Sequence, residues 1–84
     1  MCGGSSSGII DMAQTGQRIK ETRIKMGLSA KNIADFMGFE TPVAVYKWEK
    51  GRTLPALDNM VLLASLLQVK IDDLIITRDF GEKV

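Results

Sequence analysis

The stop and start signals between Ser29 and Pro55 constrain this chain more than any other feature, because they set two short helices back to back. Ser29 is an N-cap candidate, its hydroxyl able to accept an orphan amide from the first turn of a helix. Ile33, Ala34 and Met37 follow at i, i+1 and i+4, which gathers them on one helical face. Gly38 is placed to end that helix, since glycine takes the left-handed conformation at little cost, and Phe39 to plug the turn. A second helix is predicted over 42–50. Thr41 caps it, Pro42 takes the first helical position where a missing amide does no harm, and Gly51 stops it.

Within the second helix Val45 and Trp48 lie three apart and face inward, leaving Val43, Ala44, Tyr46, Lys47 and Lys50 on the outer arc. Small apolar groups mixed with lysines suit a DNA major groove, where methyls meet thymine and an ammonium reaches guanine or phosphate. Flanking helices are predicted from Thr15 to Met26, with Ile19 and Met26 inward, and from Leu57 to Gln68. In the latter Leu57, Met60, Leu63, Ala64 and Leu67 fall at core spacing. A short fifth helix follows around Ile71 and Leu74. The 84 residues hold two prolines and no strand-like alternating run, which favours a single all-α domain.

Four segments in order, GQRIKETRIKMGLS, NIADFMGF, VYKWEKGRTLP and LDNMVLLASLLQVKIDDLI, resemble the lambda repressor/Cro-like (XRE-type) helix-turn-helix domains of bacterial and phage transcriptional regulators. The resemblance runs from Thr15 to Thr77 and implies a five-helix fold in which helices 2 and 3 form the helix-turn-helix. It further implies that 42–50 is the recognition helix, with Pro42, Val43, Ala44 and Lys47 meeting base edges. Arg52 and Thr53, in the loop after that helix, would touch phosphate, and Lys31, Tyr46 and Lys50 complete the expected phosphate set. Arg23 and Glu49 occupy the places of a buried structural ion pair. Two departures stand out. Ala30 sits where the family commonly has a phosphate-anchoring glutamine, and nine residues separate Gly38 from Trp48, one more than is common. The extra residue lengthens the turn around Glu40 and Thr41. Lys47, fixed by its neighbour Trp48, is the firmest of the expected base contacts.

A net charge of +1 looks low for a protein of nucleic acid until it is divided along the chain. Residues 18 to 52 hold eight cations against four anions, whereas residues 53 to 84 hold three against five. The cationic half coincides with the proposed reading head. The other half carries more apolar residues than one buried stripe needs: Val61, Leu62 and Leu66, then Ile75 and Ile76, are expected to form a dimer or partner surface. A twofold dimer would present its recognition helices to successive major grooves about 34 Å apart, so a near-palindromic operator and a repressor are expected. The alternative is a protein-interaction module of the same fold, such as an antitoxin binding a partner protein.

Residues 1–14, rich in glycine and serine, read as a flexible arm or a non-native remnant, 15–77 as the domain and 78–84 as a tail. The arm lacks a basic n-region, so no secretory signal is expected, and no apolar run approaches the ~20 residues of a membrane span. A cytoplasmic protein is expected. Cys2 is the only cysteine and there is no histidine, so neither a disulfide nor a zinc site is expected. Without histidine, a second cysteine or a paired carboxylate site, the chain is read as no enzyme, with no catalytic residue, cofactor or metal.

Overall fold

The computed structural model describes residues 9–78; Cys2, the first part of the expected arm and residues 79–84 of the expected tail lie outside them. Five helices follow one another: α1 Met12–Lys25, α2 Ala30–Met37, α3 Val43–Glu49, α4 Leu57–Leu67 and α5 Ile71–Leu74. Two strands of two residues, β1 Ile9–Ile10 and β2 Thr77–Arg78, pair antiparallel with Ile9 opposite Arg78 and Ile10 opposite Thr77. Among the described residues no helix is long and apolar enough to cross a membrane.

The expected first helix is corrected at its start. Asp11, inside the segment read as an arm, caps α1 by accepting a 2.9 Å hydrogen bond from the Gln14 amide, so the helix begins three residues before Thr15. Thr15 is instead fully buried, and its hydroxyl accepts from the Ile76 amide at 2.9 Å and donates to the Ile76 carbonyl at 3.3 Å. The Asp11 amide donates to the same carbonyl at 2.7 Å. These bonds hold the strand pair against α1, which is why a local pattern too short to announce a strand becomes one. Met26 is also corrected: it caps the end of α1 and is 40% exposed, past the last turn that faces the core.

α2 has a full capping box, with the Ser29 hydroxyl accepting from the Asn32 amide at 3.0 Å and the Asn32 side chain accepting from the Ser29 amide at 2.9 Å. It ends at Gly38, whose φ of 81° lets the Phe39 amide turn back to the Ala34 carbonyl at 2.8 Å. α3 starts one residue later than expected. Pro42 is its N-cap, and the Thr41 hydroxyl reaches the Val43 amide only at 3.4 Å.

The core is drawn from all five helices: Ile19 of α1, Ile33 of α2, Val45 and Trp48 of α3, Leu63 and Leu67 of α4, and Leu74 of α5. Each of these large side chains gains about 1.5–3 kcal/mol from leaving water. Phe39 packs its ring edge-on to Trp48, with centroids 5.9 Å apart at 69°, and so closes the turn between α2 and α3 over the core. Leu57, expected in the core, is 78% exposed. It is the first residue of α4, one turn before Met60, and among the described residues no element covers it.

Candidate nucleic-acid interface

α3 is held from behind. Val45 is wholly buried and Trp48 nearly so, which locks the rotation of the helix about its own axis. Glu49 is buried beside them and receives two hydrogen bonds from Arg23 of α1, Nε to Oε2 at 2.5 Å and Nη2 to Oε1 at 3.1 Å. The remaining guanidinium nitrogen, Nη1, donates to the Leu28 carbonyl at 3.1 Å. Hydrogen bonding to Glu49 raises the Arg23 pKa above the ordinary arginine range, with burial opposing, so the guanidinium stays charged. This fork ties α1, the turn before α2 and the end of α3 together, and it leaves no net charge inside the junction.

The junction also explains Gly16. A Cβ at that position would lie 2.3 Å from the Trp48 carbonyl oxygen and 2.7 Å from that of Glu49, so α1 and α3 approach more closely than an alanine permits. Sequence and geometry agree here at the level of single atoms: a residue without a side chain stands where the other helix ends.

The outer side of α3 is bare. Val43 is 52% exposed and Tyr46 46%, with Lys47 and Lys50 exposed beside them. Ala44 and Pro42 are half-buried, Ala44 against the core. Val43, Tyr46, Lys47, Lys50 and Arg52 line one shallow groove along the helix. A second hollow, at the N-terminal end, brings Thr53 to Val43, Ala44 and Lys47, and includes Phe39, Glu40 and Thr41 of the turn. The structure therefore gathers eight of the nine residues expected to touch DNA around α3, all but Lys31. Lys31, on the exposed side of α2, bonds Asp35 one turn on at 3.2 Å and borders neither hollow.

Three residues beside α3 escaped the sequence reading. Gln17 and Lys20 of α1 share a cleft with Tyr46 and Lys50, floored by the Arg23–Glu49 pair. Nothing local in the sequence marks these two α1 residues as neighbours of α3; the close crossing at Gly16 brings them there. Glu40 is the third, an exposed carboxylate on the lengthened turn.

Of the expected partner surface, Val61 and Leu62 are 51% and 42% exposed, while Leu66, Ile75 and Ile76 are half-buried.

Two short helices joined by a tight turn, the second locked inside and bare outside, define a helix-turn-helix domain of the lambda repressor-like type. The chain belongs to the helix-turn-helix family HTH_3, which matches residues 19–74. It is similar to the restriction-modification controller protein C.AhdI from Aeromonas hydrophila, with 31% identity, a TM-score of 0.69, and coverage of 76% of this chain and 96% of that one. It is also similar to the P22 c2 repressor protein, solved in complex with a synthetic operator, with 30% identity, a TM-score of 0.66, and coverage of 71% and 89%. Hydroxypropylphosphonic acid epoxidase from S. wedmorenis shares the fold at 23% identity and a TM-score of 0.70, over 77% of this chain but 34% of that enzyme. No curated protein sequence matches the chain. By family the chain is a DNA-binding transcription regulator.

Proposed function

We propose that the protein is a sequence-specific binder of double-stranded DNA that acts as a repressor, as a dimer on a near-palindromic operator. The observation that carries this reading is the two-sided character of α3: Val45, Trp48 and Glu49 fix its inner side, and the exposed side offers Val43, Tyr46, Lys47 and Lys50. In the major groove Lys47 reads guanine acceptors while Val43 and Ala44 meet thymine methyls, with Pro42 at the helix entry. Lys50, Arg52, Thr53 and Tyr46 hold phosphates, and Lys20 joins them from α1. Lys31 contributes after giving up Asp35, an exposed i,i+4 pair worth about 0.3–0.5 kcal/mol.

The dimer reading is supported by the apolar face of α4, where Leu57, Val61 and Leu62 stand in water. Selection of the purified protein on randomised duplex DNA at near-physiological salt tests both parts. A two-part symmetric site is the expected result, a single half-site would remove the dimer, and no enrichment at any salt would remove DNA recognition. The same α4 face supports a second reading, in which the domain holds a partner protein as an antitoxin does. A DNA affinity that changes little with salt favours that reading, because phosphate contacts release counterions and steepen the dependence.

A further inference from the structure

We propose that Glu40 and Lys47 jointly read one G·C base pair, Lys47 meeting guanine O6 and N7 while the Glu40 carboxylate accepts the cytosine N4 amino hydrogen. The proposal rests on the DNA-binding reading above and adds a specificity-determining residue to it. Glu40 and Lys47 line one hollow, with Val43 and Ala44 as its apolar floor, at the end of α3 that leads into the groove. Both side chains are exposed, and among the described residues neither takes part in a side-chain hydrogen bond or an ion pair. The other anions of the cationic half are engaged: Glu49 by Arg23, Asp35 by Lys31, and Glu21 by the Gln17 amide at 3.1 Å. Glu40 is thus the carboxylate left free beside the reading face.

A free carboxylate at that place is repelled by phosphate and by most base edges, since guanine and thymine show only acceptors in the major groove. The donors it can meet there are the amino groups of cytosine and adenine. Across a G·C pair the groove presents two adjacent guanine acceptors and then the cytosine donor. A cation and an anion lining one hollow can match that order. An A·T pair offers adenine N6–H where Lys47 needs an acceptor and thymine O4 where Glu40 needs a donor, and a reversed pair inverts the order. The residue that lengthens the turn, relative to the common spacing of the family, falls at Glu40-Thr41 and brings the carboxylate to the hollow.

The test runs wild type, Glu40→Gln and Lys47→Ala through the same selection on randomised duplexes, with thermal melts to show that both variants stay folded. Wild type is expected to demand G·C at one position of the half-site, by about tenfold or more over other pairs. Both variants are expected to relax that same position, because a glutamine amide can also donate to the acceptor of a wrong pair. Three results overturn the proposal while leaving DNA recognition intact: an unchanged preference in Glu40→Gln, relaxation at a position different from that of Lys47→Ala, or equally tighter binding to every sequence. The last would mean that Glu40 only repels phosphate. No enrichment by wild type would instead overturn the underlying reading, and this proposal with it.

Discussion

The junction of α1 with α3 and the outer face of α4 invert the usual rule of polar outside and apolar inside. At the junction a charged pair, Arg23 and Glu49, is 13% and 4% exposed, and Gly16 leaves no room for a methyl group. On α4, Leu57, Val61 and Leu62 are 78%, 51% and 42% exposed. Buried charge is a poor source of net stability, but it demands one geometry, because only the correct approach of the helices satisfies the guanidinium. Exposed leucine and valine demand nothing of the monomer. The first region therefore sets where α3 points, and the second is, on the dimer reading proposed above, the face a partner would cover.

Removing one member of the buried pair tests this contrast most severely. Glu49→Ala should cost about 3–5 kcal/mol in chemical denaturation, because it strands the guanidinium, whereas Arg23→Met with Glu49→Leu should recover most of that loss. Since the folded-state pKa of Arg23 is raised, the part of the pair's stability linked to arginine ionisation is complete below the ordinary arginine range and is lost only as pH climbs through the higher folded value. The stability difference between wild type and Arg23→Met should accordingly stay flat between about pH 7 and 10; a slope there would implicate another titrating group. Gly16→Ala should destabilise by about 1–3 kcal/mol, because the new methyl meets backbone oxygens that can move only with the end of α3. An alanine variant as stable as wild type would show the crossing to be looser than described.

On the exposed side of α3 the expected loss moves from folding to binding. Lys47→Ala should leave stability within about 0.5 kcal/mol while costing about 1–3 kcal/mol of DNA affinity and relaxing one base position. Arg52→Ala should weaken all duplexes alike and lower the salt slope by about 1, read by fluorescence anisotropy over a salt series. On α4, too, the expected effect on folding is small. Val61→Ser with Leu62→Ser should change monomer stability by no more than about 1 kcal/mol yet abolish self-association in sedimentation. A variant that still sediments as a dimer would place the interface elsewhere.

How far the sequence foretold these regions follows the range of the forces involved. α2 is legible because its signals are local, a serine cap and a glycine stop nine positions apart with an apolar face between them. The start of α3 is off by one, since Thr41 and Pro42 both carry capping features and only the backbone of the assembled turn decides between them. The strand pair and the early start of α1 were hidden, because Asp11 and Thr15 find their common partner Ile76 more than sixty positions away. Leu57 fits the core spacing, but periodicity does not say whether anything lies over the end of a helix. Around α3, Trp48 and Val45 identified the inner side and so the outer one. Lys20 and Glu40 were missed for opposite reasons: one belongs to a helix brought close by a glycine, the other to a turn whose extra residue is visible but whose direction is not.

The β1–β2 ladder has a mechanical consequence. Because Ile9 lies opposite Arg78, handles attached at these two positions would pull the strands apart like a zipper, loading one rung at a time. Ile10 with Thr77 comes next, then the bonds of Asp11 and Thr15 to Ile76, before the load reaches the helices. Tension between the two ends would thus be absorbed at the clasp first, and the orientation of α3 would outlast it.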